Sequence, residues 1–200
     1  MRSDFVREIG DHSLEYIDEL HLYLIDGVIA PSVSGILAKK FGHKYDGIDR
    51  AVLQRAANEG TRVHESIEKL IATGEVDDIP EVKSFIWLKE KYGFKVLGSE
   101  IPVLLFKDGY PVAAGRLDLV LGNNETQVIA DIKRTAVLDK EYVAYQTNIY
   151  RIAYQQSYGG EVGELRAIHL RGDIRKYVKL PINERMAWNL IDDYLKGEAE

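Results

Sequence analysis

Three runs of strand-favouring residues follow one another with only turn chemistry between them: FKVLGSEIPVLLF (94–106), YPVAAGRLDLVLG (110–122) and TQVIADIKRT (126–135). Asp108-Gly109 and Gly122-Asn123-Asn124 separate them, residue types that tolerate the backbone of tight turns. Consecutive strands joined by such short links pair as antiparallel neighbours. Any fold of this chain must therefore accommodate a three-stranded sheet. The third run carries a further constraint. Val128, Ile129, Ala130 and Ile132 suit a sheet interior, yet Asp131 and Lys133 interrupt them two positions apart. Burying either charge alone is costly.

Successive strand side chains point to opposite faces, so Asp131 and Lys133 share one face. A hairpin symmetric about Asn124-Glu125 places Asp118 of the second run directly across from Asp131. Like charges opposite one another destabilise a sheet, and two adjacent carboxylates do not both ionise cheaply. A shared proton, a lysine neighbour or a bound cation relieves this. One solution is a buried ion pair, Asp131 with Lys133, Arg116 or Arg134. The other is a site for a hard cation, magnesium or manganese, which oxygen ligands suit.

The rest of the chain supplies the layers around this sheet. SLEYIDELHLYLIDGVIAP (13–31) reads as short strands, with Asp26-Gly27 as a tight hairpin turn. In PSVSGILAKKFG, Ser32 or Ser34 caps a short helix that Gly42 ends. From about Gly47 to Gly74 the pattern is helical, with Val63, Ile67, Leu70 and Ile71 on one stripe, and Gly60 placed to break it. PEVKSFIWLKEKYG and KEYVAYQTNIYRIAYQQSYGG read as helices closed by glycines. VGELRAIHLRGDIRKYVKLP reads as two strands about Gly172-Asp173, and Asn183 caps a final helix with Ala187, Leu190, Ile191 and Tyr194 inward. The expected class is α/β or α+β, a central mixed sheet flanked by helices. Neither a repeat nor a low-complexity linker marks a boundary, so 1–200 reads as one domain, divided into an N-terminal hairpin and helical region (1–54) and a core (55–200).

The chain has 200 residues and no cysteine, which excludes disulfides, thiolate-bound zinc and an iron–sulfur cluster. No apolar run approaches the roughly 20 residues of a membrane span, and the N-terminus lacks the apolar core of a secretion signal. The expected setting is the cytoplasm, without a membrane partner. A net charge of −6 argues against a non-specific nucleic-acid coat. Basic residues nevertheless gather at Lys39, Lys40, His43 and Lys44 and again at His169, Arg171, Arg175, Lys176 and Lys179.

Taken in order, GRLD ending at Asp118, DIK at 131–133 and QTNIY on the next helix resemble the PD-(D/E)xK nuclease superfamily, and within it the RecB-like and phage-type exonuclease branch. Gly60 and His64 in EGTRVHESIEKL match that branch's upstream histidine element, Glu100 its glutamate on the preceding strand, and Gln146 with Tyr150 its Q-x-x-x-Y pair. The likeness spans roughly Arg55 to Tyr158. The superfamily's proline before Asp118 is missing, and DGVIAPSVSGIL is similar to a stretch that precedes the core in phage-encoded members.

The resemblance implies a restriction-endonuclease-like core and a metal-dependent DNA exonuclease of recombination or repair, in a bacterial or phage-infected cell. It implies one or two magnesium or manganese ions held by Asp118, Asp131, the Ile132 carbonyl and His64. Lys133 would act on the attacking water, Glu100 would hold a second ion or a water, and Gln146 and Tyr150 would steer the DNA strand or Lys133. Arg62, Arg116, Arg134, Lys140 and Arg151 lie near these motifs in sequence, where phosphates would be contacted. Tyr142, Tyr145 and Tyr154 offer rings for unpaired bases. DNA ends and a recombination partner protein are the implied partners. The alternatives are a non-catalytic nucleic-acid-binding or assembly subunit of the same fold and a structure-specific endonuclease.

Overall fold

The computed structural model describes residues 4–122 and 126–198. The turn residues Asn123 and Asn124, and Glu125 beside them, lie outside the described residues. An antiparallel meander opens the chain: β1 (Phe5–Ile9), β2 (His12–Ile17), β3 (Leu22–Ile25) and β4 (Val28–Ala30), in that spatial order. Asp26 and Gly27 both take positive φ, 52° and 79°, the backbone that a two-residue hairpin turn requires. Ser32 Oγ accepts from Gly35 N at 3.0 Å and starts α1 (Val33–Phe41), which passes into a 3-10 turn at Gly42–Tyr45.

α2 (Arg50–Thr73) runs unbroken through Gly60. One glycine costs a helix only about 1 kcal/mol, and burial of Val63 and Ile67 on the same helix outweighs it. α3 (Pro80–Tyr92) begins with proline at its first position and ends on Gly93 in the left-handed conformation.

β5 (Lys95–Lys107), β6 (Tyr110–Gly122) and β7 (Gln127–Lys133) form the expected antiparallel set. α4 (Lys140–Tyr158) then crosses over to β8 (Val162–Arg171), which runs parallel to β7, and β9 (Ile174–Leu180) closes the sheet. The order is β5-β6-β7-β8-β9. Asn183 Oδ1 accepts from Met186 N and opens α5 (Glu184–Glu198). The molecule is thus α+β, with two sheets and five helices among the described residues.

Two apolar layers sandwich the five-stranded sheet. Val63, Ile67, Val82, Phe85 and Leu88 of α2 and α3 pack on Leu119, Leu121, Val128, Ala130 and Ile132. On the other face, Ile36 and Leu37 of α1, Ile149 and Ala153 of α4, and Ile191 of α5 pack on Val120, Ile129, Leu165 and Ala167. The meander covers the far ends of β5 and β6 through Ile9, Leu14 and Ile25 against Leu104 and Ala114. Ala114 N donates to the Pro31 carbonyl at 2.9 Å, tying the two sheets together. No helix among the described residues is long and apolar enough to cross a membrane.

Gly115 of β6 is where Tyr150 of α4 meets the sheet. A Cβ there would lie 2.8 Å from Tyr150 Cε1 and 2.9 Å from Val33 Cγ2. Gly115→Ala is therefore expected to lower unfolding free energy by about 1–3 kcal/mol. Chemical denaturation checks this; an unchanged midpoint would show that the contact is not tight.

Candidate metal centre

The β6–β7 ladder runs from Gly122↔Gln127 to Leu119↔Ala130. Its next step places Asp118 across from Asp131, the register that the turn symmetry implies. On the other side of β6, Ser99↔Leu119 and Ile101↔Leu117 bracket the position where Glu100 faces Asp118. Three neighbouring strands thus bring three carboxylates into one row. Glu100 sits there with φ of 50°, a left-handed backbone uncommon outside glycine and one that collects at functional sites.

Each carboxylate has its own compensation. Arg116 Nε lies 2.7 Å from Glu100 Oε2, and Lys133 Nζ lies 2.7 Å from Asp131 Oδ2. Beyond this ion pair, neither oxygen of the buried Asp131 has a hydrogen-bond partner among the described residues. Asp118 Oδ2 accepts the Ile132 backbone N–H at 2.7 Å, leaving Oδ1 facing His64 of α2. The His64 Nε2 pairs with the Ile132 carbonyl at 3.0 Å, so Nε2 carries the proton. Its Nδ1 then points a lone pair at Glu100 Oε1, 3.8 Å away, and Asp118 Oδ1, 3.7 Å away.

That arrangement asks for a positive charge. Nδ1 is buried and has no hydrogen-bond partner among the described residues. Burial alone lowers the His64 pKa, but the Asp118 and Glu100 carboxylates reverse this and raise it. One ligand atom each from His64, Glu100 and Asp118 falls within 4.8 Å of the others. A divalent cation fits this donor set, with one imidazole nitrogen and hard carboxylate oxygens. The carbonyl that holds Nε2 fixes the ring with Nδ1 forward, as metal-binding histidines require. Ile132 thus meets the cluster by anchoring His64 with its carbonyl and Asp118 with its N–H.

Asp131 lies beside this three-residue group and belongs more closely to Lys133. Burial raises its pKa, Lys133 opposes the shift and Asp118 reinforces it, leaving Asp131 at about 6. Burial pulls the Lys133 pKa down, but the Asp131 and Asp118 carboxylates raise it above its ordinary value, so the ammonium stays charged. Its Nζ also sits 5.7 Å above the Tyr142 ring. On α4, Gln146 and Tyr150 are both buried, and the Gln146 Oε1 has no partner among the described residues. Tyr150 is raised well above its ordinary value, chiefly by burial, and so remains a neutral O–H group. It lines a cavity of about 300 Å³ with Tyr16, Tyr23, Ser34 and Arg116. A larger apolar groove, about 620 Å³ between α2 and α3, lies apart from the acidic row.

No family model matches the chain, and a search of curated proteins finds no match. Among solved structures, the crystal structure of SSO0001 is similar, with a TM-score of 0.47 and 15% identity over 84% of this chain and 75% of that one.

The arginines divide by what they touch. Arg116 is 9% exposed and held by Glu100. Arg134 pairs with Glu81 at 3.1 Å and with Glu59, and shares a small cleft with Arg62. Arg151 donates to the Val162 carbonyl at 3.0 Å and pairs with Glu184. Val162 is the partner of Gln127, at the end of β7 away from Lys133. Lys44, from the early basic cluster, pairs with Asp139 at the start of α4. His169, which the sequence groups with the late basic cluster, is not a surface charge. It is buried beside Lys133 in the β7–β8 ladder, with Nε2 pairing with the Thr135 carbonyl at 2.7 Å. This anchors the segment that follows the lysine; the run Ala167–Leu170 is buried throughout, so no alternation marks the side chain of His169 as inward.

The sign of the Asp131 shift gives a stability prediction. With a folded pKa of about 6 against an unfolded value of about 3.9, the folded protein holds the extra proton between those pH values. The favourable contribution is fully present below about pH 4 and lost as pH rises through about 6. In EDTA, Asp131→Asn should gain about 1–3 kcal/mol relative to wild type between pH 4 and 8. Urea midpoints at the two pH values test it; a constant difference would show that Asp131 titrates normally.

Proposed function

We propose that this chain is a metal-dependent DNA exonuclease of the PD-(D/E)xK type, RecB-like branch, which hydrolyses phosphodiester bonds in recombination or repair. The observation that carries this reading is the convergence of His64 Nδ1, Glu100 and Asp118 in one group, with the Asp131–Lys133 pair on the adjoining strand. A buried ion pair alone would account for Asp131 and Lys133. It gives no reason for two further carboxylates and an imidazole lone pair to gather beside them.

His64, Asp118 and Glu100 would hold magnesium or manganese, with Asp131 alongside. When bound, the ion supplies Lewis-acid polarisation of the phosphate and acidifies a water in its shell. The chain's own groups do the rest. Lys133, kept charged by Asp131 and Asp118, places a cation beside the phosphate and offsets negative charge that develops there. Arg116 holds the Glu100 carboxylate in place from the side facing the 300 Å³ cavity. Asp118 is fixed by the Ile132 N–H, so its free oxygen keeps one direction. His169 and Tyr142 position the chain around Lys133. The Gln146–Tyr150 pair of the resemblance implies an end-directed enzyme, and DNA is the expected substrate.

End-labelled linear DNA and closed-circular DNA, each with manganese, magnesium or EDTA, test the reading. The expected outcome is metal-dependent loss of linear DNA with the circle intact. Asp118→Asn and Lys133→Ala should each slow cleavage by about 10²-fold or more while keeping the wild-type circular dichroism spectrum. Cleavage at wild-type rate in either variant, or in EDTA, would overturn the assignment; a cut circle would move it to an endonuclease.

A further inference from the structure

The surface built by α3 and β9 is unusual for an acidic protein. Trp87 is 38% exposed, and two cations face its ring: Arg175 at 4.4 Å and Lys91 at 4.6 Å from the centroid. Lys91 also lies 5.5 Å from the ring of Tyr92, which is 47% exposed and packs against Tyr177 at 4.9 Å. Other exposed lysines of the chain, such as Lys69 and Lys83, sit in ion pairs with aspartates. Lys91 and Arg175 differ: among the described residues, neither has a carboxylate within ion-pair distance. Arg166 and Lys179, further along the same face, are neutralised by Glu164. Other basic residues, Lys89, Lys95, Arg171 and Lys176 among them, also lack a carboxylate partner among the described residues, but Lys91 and Arg175 are the two of these that stand over exposed rings.

Cation–π contact holds the Arg175 and Lys91 side chains over the indole but does not cancel their charge. A strand of unpaired nucleotides satisfies both halves of this surface. Its phosphates pair with the guanidinium and ammonium, and its bases stack on exposed Trp87 and Tyr92 or on the guanidinium plane. Position supports the match. Arg175 pairs with Leu170, the neighbour of His169, which in turn pairs with Lys133. Arg175 thus lies toward the Lys133 end of the sheet, two strands or about 10 Å away along it, with its own side chain on the α3 face and that of Lys133 on the α4 face. Arg171, exposed at the end of β8, lies between them.

We propose that the α3–β9 face around Trp87, Lys91, Tyr92 and Arg175 is a docking surface for single-stranded nucleic acid, separate from the metal centre. It rests on the nuclease reading for the choice of nucleic acid over an acidic polypeptide. Binding there needs neither metal nor turnover.

The test uses the full chain in EDTA with a fluorescein-labelled 12-nucleotide oligothymidylate, followed by anisotropy at several salt concentrations. The Lys91→Gln/Arg175→Gln double variant should bind at least tenfold more weakly, with a salt slope smaller by about 1.4 for two lost phosphate contacts. Lys91→Arg/Arg175→Lys, which keeps both charges, should restore the slope, and Lys83→Gln on the same helix should bind as wild type does. Trp87→Ala should weaken binding without changing the slope. Unchanged affinity in the double variant overturns the proposal, as does equal competition by polyglutamate, which would assign the face to an acidic protein. The two readings fail separately: loss of binding in the variants with no cleavage by wild type overturns only the nuclease, and cleavage by wild type with unaltered binding in the variants overturns only this surface.

Discussion

The row of carboxylates, Glu100, Asp118 and Asp131 on three adjacent strands, is the constraint around which this protein is arranged. Sheet pairing forces the three within reach of one another, and their mutual repulsion opposes the pairing that creates it. Much of the surrounding polar structure is compensation. Arg116 and Lys133 take the two outer members, and the Ile132 N–H and His64 attend to the middle one. The compensation is incomplete, since Asp131 keeps a raised pKa and His64 Nδ1 has no hydrogen-bond partner among the described residues. In the proposed function, a divalent cation would supply what is missing.

The scaffold around the row is built to be stiff. α2 and α3 pack one face of the sheet and α1, α4 and α5 the other, so β6 and β7 are buried from both sides. The parallel β7–β8 pairing puts the Lys133 end of β7 beside His169, which holds the following segment through Thr135. Gly115 lets Tyr150 approach the sheet without a Cβ between them. Each device limits how far the charged groups can relax apart. Stiffness of this kind keeps the charge imbalance in place, and an imbalance held in place is what a cation site consists of.

Much of the scaffold was legible in the sequence because its signals are local. Turn residues delimited β5 to β7, glycine caps ended α3 and α4, and the hairpin symmetry gave the register of Asp118 against Asp131. The meander was only partly readable: FVREI of β1 places two adjacent charges, Arg7 and Glu8, between its apolar residues and carries no turn signal before Gly10. Gly60 suggested a break that packing of α2 overrides. Glu100 was matched by resemblance, but its place opposite Asp118 depends on a register shift between Val96 and Gly98 and on a left-handed backbone. Nothing local encodes either. The arginines show the same limit, because Glu59, Glu81 and Glu184 lie 75, 53 and 33 residues from the arginines that they pair with.

His64, Glu100 and Asp118 are proposed to form the divalent-cation site on which the activity depends. Titration of the metal-free protein with manganese, followed by isothermal calorimetry or by loss of the free-ion paramagnetic signal, tests it without reference to catalysis. Saturable binding is expected, which His64→Ala weakens by at least tenfold, the usual loss when a metal site is disturbed, while Asp78→Asn on the distant surface leaves it unchanged. Absence of binding, or equal affinity in the His64 variant, would contradict the proposed site and return the carboxylate row to a set of buried ion pairs.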